Sequence, residues 1–193
     1  MRSTRLEPSM RPKVLNFIGF QASWWALILG AANGLWFAGV AFALTWFLLH
    51  LRSQGPAWPV DLKLAAAAAV MGGVLDSALV LGGLLSFPAV AAAGPLTPPW
   101  MLVLWMAFAL TLGHSLNWLA GRYLLATMAG AICGPLAYVA GQSMGAVTLV
   151  MPPFSWLAVA AMYAAATPAL FLLRERFEAS AARDALVPQG AEV

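Results

Sequence analysis

The chain has 193 residues, of which 62% are hydrophobic and only 9% are charged. With a mean hydropathy of +0.83 it lacks the polar surface that would cover a soluble globule, so we expect a membrane-embedded protein. The net charge of +3 does not indicate a nucleic-acid partner, because the basic residues lie at the ends of apolar runs and form no basic face.

Four groups of basic residues divide the chain into three apolar stretches, which are 38, 58 and 51 residues long (14–51, 64–121 and 123–173). A transmembrane helix needs about 20 mainly apolar residues, so each stretch accommodates two helices and a turn. The sequence therefore predicts an all-α, polytopic membrane protein with a six-helix bundle and short loops. The predicted helices are 14–31, 34–51, 62–85, 99–118, 122–141 and 155–173.

The distribution of positive charge predicts the orientation of this bundle. With two crossings in each stretch, every Lys and Arg lies on one side of the membrane, and the opposite loops carry no charge. By the positive-inside rule that side is cytoplasmic, so both termini are expected to be inside. We therefore predict a cytoplasmic N-terminal segment (1–13), a six-helix transmembrane domain (14–175) and a flexible cytoplasmic tail (176–193). The alternative for the tail is that 174–186 continues as a helix.

Asp76 is the one acidic residue inside the six predicted spans, whose other formal charges, Lys63 and Arg122, lie at helix ends. A carboxylate in the hydrocarbon region is energetically expensive, so such a residue is by default a candidate functional site. Two interpretations are open. The first is a proton-relay or ligand-binding acid. The second is a structural carboxyl group that forms hydrogen bonds with a neighbouring helix.

A partner for Asp76 is predicted on helix five. Pro135 lies midway along this helix, where a proline frees the carbonyl group of Ala131 from its helical hydrogen bond. Small residues on both helices permit close backbone approach; they are Gly72 and Gly73 on helix three and Gly130 and Gly134 on helix five. We therefore predict that helices three and five touch and that Asp76 faces the break at Pro135.

Four further polar residues are candidate functional residues. His114 and Asn117 lie near the cytoplasmic end of helix four, and Asn16 and Gln21 lie on helix one. His114 is the candidate for proton transfer near neutral pH. The alternative is that the helix-four residues only meet headgroups and water, and that the amides only join helices by hydrogen bonds. Asn16, His114 and Asn117 share the inner half of the bundle, where helices one and four are expected to converge.

Several motifs of enzymes are missing from the sequence. It has no phosphate-binding glycine loop, no paired carboxylates, and no HExxH or serine-elbow pattern. His50 ends helix two on the same side as His114, but no spacing specifies a metal or haem site between them. The sequence therefore predicts no metal and no cofactor, and it favours a protein that is not an enzyme.

Some segments of the chain are similar to a known family. They are Asn16-Phe17, Gln21-Ala22-Ser23-Trp24-Trp25, Asp76, Trp105, His114-Ser115-Leu116 and Gly134-Pro135-Leu136-Ala137-Tyr138-x-x-Gly141. Together they resemble a bacterial inner-membrane family known as the domain of unknown function number 2878, over about residues 14–175. The resemblance implies a bacterial inner-membrane protein without an established activity. It also implies a role connected with membrane-lipid modification or envelope stress.

The function that we expect is binding or transport of a small or lipidic substrate within the bundle. One alternative is an intramembrane lipid-modifying enzyme, which would gather at least three of five candidates around one cavity; these are Asn16, Gln21, Asp76, His114 and Asn117. The second alternative is a structural or accessory membrane subunit. The expected partners are the lipid bilayer, a lipid or small-molecule ligand, and another membrane protein or a second copy of the chain.

Overall fold

The computed structural model describes residues 10–88 and 94–186. In these ranges the chain forms six α-helices: α1 (Met10–Ala32), α2 (Trp36–Ser53), α3 (Trp58–Leu81), α4 (Pro99–Leu112), α5 (Tyr123–Ser143) and α6 (Phe154–Leu186). The predicted all-α class is confirmed. Of the described helices, five are long and apolar enough to cross a membrane, whereas α4 is shorter, with 14 residues.

The helices associate mainly as three consecutive hairpins. α1 packs on α2, α3 on α4 and α5 on α6, and these are the most extensive helix contacts in the described part of the chain. α3 also packs against α6, and α1 packs against α4, which joins the hairpins into one bundle. α1 and α5, in contrast, share little direct packing.

Glycines on α3 form the contact with α4. A Cβ atom at Gly72 would lie 2.2 Å from the indole ring of Trp105, and one at Gly73 would lie 2.7 Å from a methyl group of Leu102. The absence of a side chain at both positions lets the large α4 side chains approach the α3 backbone.

Glycines on α5 form the contact with α6 in the same way. A Cβ atom at Gly130 would lie 2.3 Å from the carbonyl oxygen of Tyr163, and one at Gly134 would lie 2.5 Å from its ring. The prediction that the glycines of helices three and five bring these two helices together is therefore wrong. Each glycine face is already occupied by a bulky residue of the following helix in its own hairpin.

In the structure we call the end of the bundle with the α3–α4 and α5–α6 connections the outer end, and the opposite end the inner end. At the outer end, α3 and α5 terminate and the segments after them pair. Gly83 (φ 69°) and Gly145 (φ 84°) adopt the left-handed conformation that ends a helix and that residues with a Cβ disfavour. Helix three therefore ends before residue 85, its predicted boundary. The chain continues into two short strands, β1 (Leu85–Ser86) and β2 (Thr148–Leu149), which pair antiparallel. This pairing joins the segment directly after α3 to the segment after α5.

The inner end of α4 is set by Asn16 on α1. The Asn16 amide donates to the carbonyl oxygen of Leu110 at 3.2 Å. Its oxygen accepts from the backbone nitrogen (3.3 Å) and the hydroxyl group (2.7 Å) of Ser115. These bonds satisfy backbone groups that are released where a helix stops. α4 therefore ends before the predicted residue 118, and the predicted convergence of helices one and four is observed.

The two ends of the described chain differ from the predicted segments. α1 begins at Met10, so part of the predicted N-terminal segment is helical, and residues 1–9 lie outside the described residues. α6 continues to Leu186, and an ion pair between Arg174 and Glu178 at 2.6 Å, one helical turn apart, stabilises it just beyond the predicted span. Residues 176–186 of the predicted flexible tail are thus helical, and 187–193 lie outside the description.

Candidate functional site

Asp76 lies in the core of the bundle and is fully buried, with 0% of its surface exposed. The indole nitrogen of Trp105 on α4 donates a hydrogen bond to Oδ2 at 2.8 Å. The hydroxyl group of Tyr138 on α5 donates to Oδ1. Each carboxyl oxygen therefore has a donor, and the three residues connect α3, α4 and α5.

Tyr163 on α6 completes this site. Its ring stacks on Trp105, with centroids 4.9 Å apart and planes inclined by 17°. It also lies edge-on to Tyr138, with centroids 6.0 Å apart. Since Gly134 leaves space for the Tyr163 ring, the small residues of α5 help to build the aromatic wall around Asp76.

The predicted neighbour of Asp76 was the helix break at Pro135. The structure instead brings Asp76 to Tyr138, which follows Pro135 by three positions on α5. α5 continues through Pro135 as one helix. A long Tyr side chain can reach Asp76 without close backbone packing of α3 and α5, so the site does not need the glycine contact that the sequence predicted.

A cavity of about 450 Å³ lies next to this aromatic wall, between α1, α4, α5 and α6. Its lining is mostly apolar and rich in aromatic rings, which are Phe17, Phe20, Trp24, Trp25, Trp105, Phe108, Trp118, Tyr138 and Tyr163. Asp76 itself does not line the cavity. Its two hydrogen-bond donors, Trp105 and Tyr138, stand between the carboxyl group and the cavity.

The five polar candidates from the sequence do not surround this cavity. All five are among the described residues, and only Gln21 lines it. Asn16 is buried and joins α1 to the end of α4, next to the cavity-lining Ser115. Asn117 is exposed in a short turn after α4. The last of the five, His114, belongs to a second site.

This second site is a cluster of charged and titratable side chains at the inner end of the bundle. His114 Nε2 lies 2.9 Å from Asp61 Oδ2, and His50 Nε2 lies 3.5 Å from the same oxygen. Arg174 Nη1 lies 3.4 Å from the other oxygen, Oδ1. The cluster joins α2, α3, the end of α4 and α6. It brings together both histidines of the chain, although the sequence predicts no site between them.

Asp61 is not among the candidate residues predicted from the sequence, because the predicted helix three begins one residue after it. α3 in fact begins at Trp58, with Pro59 in its first turn, a position where proline opens a helix without losing a needed donor. Asp61 is then only 3% exposed. The spacing of residues on one helix face could have identified Asp61. The buried face of α3 contains Asp61, Leu64, Ala65, Ala68, Gly72 and Asp76. Asp76 is therefore not the only acid buried in a helix of the bundle.

The long apolar helices and the polar residues buried between them define a helical membrane-embedded protein. The chain belongs to the family described as protein of unknown function (DUF2878), whose model matches residues 13–169. The resemblance found in the sequence is thus confirmed. Comparisons with curated proteins and with solved structures give no match.

Proposed function

We propose that the protein binds a small or lipidic, largely apolar molecule in the cavity between α1, α4, α5 and α6, and passes it through the bundle. The main observation that supports this proposal is the cavity itself. Its volume of about 450 Å³ lies within the range of small-molecule sites, about 300–1,000 Å³. Like those sites, it combines an apolar and aromatic lining with a few polar groups.

The position of the cavity favours a ligand that arrives from the bilayer. α1 and α5 both contribute lining residues but share little direct packing, so they flank a lateral gap. Phe17, Trp25 and Trp118 line the cavity and are also about half exposed, which places them at its rim. Aromatic side chains at the rim give a lipid chain an apolar route into the bundle.

The polar groups of the cavity indicate where a ligand headgroup would lie. The wall is mostly apolar, and its amide- and hydroxyl-bearing residues are Gln21, Thr111, Ser115, Tyr138, Tyr163 and Thr167. We assign Asp76 a positioning role, because it is fully buried and acts on the cavity only through Trp105 and Tyr138. It holds both side chains in one orientation, which shapes the wall that a ligand would meet.

The cavity supports the enzyme alternative less well. An intramembrane enzyme would place several polar groups around its substrate, whereas of the five candidates, all within the described residues, only Gln21 lines the cavity. An accessory subunit would not need an internal cavity of this size. We further propose that all six helices cross the inner membrane with both termini in the cytoplasm. The distribution of Lys and Arg supports this orientation.

The single cysteine provides a direct test, because Cys133 is exposed and lines the cavity. The full chain would be reconstituted in nanodiscs and the rate of maleimide labelling of Cys133 measured with and without a long-chain fatty acid. We expect the fatty acid to slow labelling. The same labelling reaction on Cys133→Ala measures the background.

Two neighbouring substitutions on α5 make the test specific to the cavity. Ala137→Phe fills the cavity, because Ala137 lines it. Leu136→Phe changes the adjacent residue, which is 61% exposed on the outer face of α5. Protection of Cys133 by the fatty acid should disappear in Ala137→Phe and persist in Leu136→Phe. Equal protection in both variants, or no protection in the unchanged protein, would contradict the proposal.

A further inference from the structure

We propose that His50, Asp61 and His114 form a binding site for one divalent transition-metal ion, Zn²⁺ or Fe²⁺, at the inner end of the bundle. Each of the three residues offers one ligand atom, and these atoms all lie within 4.8 Å of one another. Two imidazoles and one carboxylate are a ligand set that both ions use in proteins.

The distances in the cluster fit a metal ion. Metal–ligand bonds of about 2.0–2.1 Å at tetrahedral angles place neighbouring ligand atoms about 3.3 Å apart. The separations of His114 Nε2 and His50 Nε2 from Asp61 Oδ2 are 2.9 and 3.5 Å, one on each side of that value. The ligand atoms of the two histidines lie within 4.8 Å of each other, so completing the coordination requires the imidazoles to move closer together.

His50 provides a second and independent observation. Its side chain is buried, with 6% of the residue exposed. Among the described residues its Nε2 atom forms no hydrogen bond of normal geometry, although it lies 3.5 Å from Asp61 Oδ2. A buried nitrogen without a hydrogen-bond partner destabilises the folded protein. A metal ion between the three residues would give this nitrogen a partner, with His50 in the neutral tautomer that carries its proton on Nδ1.

The surroundings of Asp61 favour coordination through one oxygen. Arg174 lies 3.4 Å from Oδ1, which leaves Oδ2 facing the two histidines. Such outer partners orient ligating carboxylates in metalloproteins. Glu178 in turn pairs with Arg174 at 2.6 Å and offsets its positive charge. The formal charges of Asp61, Arg174 and Glu178 sum to −1, so a divalent cation would not be repelled.

The ligand set also leaves room for an external ligand. Three protein ligands leave at least one position on a tetrahedral ion, which is typical of sites that bind water or a substrate. The partly exposed side chain of His114 marks the open side of the cluster. The site is separate from the apolar cavity, because none of its three ligand residues lines that cavity.

The test uses the full chain in detergent, purified through an affinity tag that contains no histidine. After chelator treatment and removal of the chelator, Zn²⁺ or Co²⁺ is added and bound metal is counted by mass spectrometry. We expect one ion per chain, and a visible ligand-field spectrum for Co²⁺. The chain has only two histidines, so imidazole coordination assigns the site directly.

Substitutions then distinguish a specific metal site from non-specific metal binding. Asp61→Asn, His50→Ala and His114→Ala should each weaken binding at least about 100-fold, since even outer partners of metal sites contribute about 10–100-fold. Asp184→Asn makes the same chemical change at an exposed acid on α6 and should bind like the unchanged protein. Metal binding that is equal in Asp61→Asn and Asp184→Asn would overturn the proposal. The proposal would also be overturned if the unchanged chain bound no stoichiometric metal and gave no Co²⁺ spectrum. That result does not depend on the folding of any variant.

Discussion

Replacing Asp76 tests whether the buried carboxyl group stabilises the bundle through its two hydrogen bonds. Asp76→Ala removes the acceptor for both Trp105 and Tyr138, and leaves their N–H and O–H groups buried without partners. Asp76→Asn keeps the shape of the side chain. Its amide oxygen can accept from Trp105, and its NH₂ group can donate to the oxygen of Tyr138. Asp76→Ala therefore removes both hydrogen bonds, whereas Asp76→Asn keeps a polar side chain that can still contact both neighbours.

The expected magnitudes follow from the number of groups left without a partner. An unpaired buried donor costs about 1–3 kcal/mol, whereas hydrogen bonds between membrane helices measure about 0.6 kcal/mol on average and about 1.7 at most. Two orphaned donors and the space left by the carboxyl group in a fully buried site lead us to expect a loss of about 2–4 kcal/mol for Asp76→Ala. Asp76→Asn should cost less, about 1 kcal/mol, because it keeps a contact to each neighbour and only the Tyr138 O–H loses its acceptor.

The assay is unfolding in mixed micelles with increasing SDS, followed by tryptophan fluorescence. A double-mutant cycle adds Tyr138→Phe, whose effect should be smaller in the Asp76→Ala background, because the bond it removes is already lost. Equal costs for the Ala and Asn variants would refute the argument. So would full additivity of Asp76→Ala and Tyr138→Phe.

The same measurement checks the packing of α3 on α4, and reporter fusions check the topology. Gly72→Ala should lower the free energy of unfolding by about 1–3 kcal/mol, because its Cβ would lie 2.2 Å from the Trp105 ring. Gly73→Ala is the matched control and should cost less, since its one close contact is a flexible methyl group of Leu102 at 2.7 Å; the reverse order would contradict this packing. Reporters of cytoplasmic location fused to either terminus should both be active, and an external location of one terminus would disprove the proposed orientation.

The helices themselves could be predicted from the sequence because the information is local. Span length and hydropathy identify the long apolar helices, and Asn33-Gly34 marks the first turn, where Gly34 adopts a φ of 74°. The predicted helix boundaries are wrong where a side chain of another helix ends the helix. Asn16 on α1 hydrogen-bonds the end of α4, and no local pattern in α4 predicts that partner.

The helices that pack on the glycine faces could not be predicted, although the glycines themselves could be identified from the sequence. Gly72 and Gly134 were correctly expected to allow close approach, but their partners, Trp105 and Tyr163, lie on α4 and α6. In a soluble helix the apolar stripe shows which face is buried. In a membrane helix both the lipid-facing and the buried face are apolar, so the sequence does not distinguish between possible neighbours.

The sequence by itself determined the class of protein, its apolar helices and the cost of burying Asp76, since these depend on residue type and spacing along one helix. Only the tertiary structure decided what the buried groups contact. Asp61 and His114 are separated by 53 positions, and they meet because α3 and the end of α4 come together at the inner end of the bundle. The cavity likewise belongs to no single helix. Both sites arise from side chains of several helices, and helix packing alone determines which of these side chains meet.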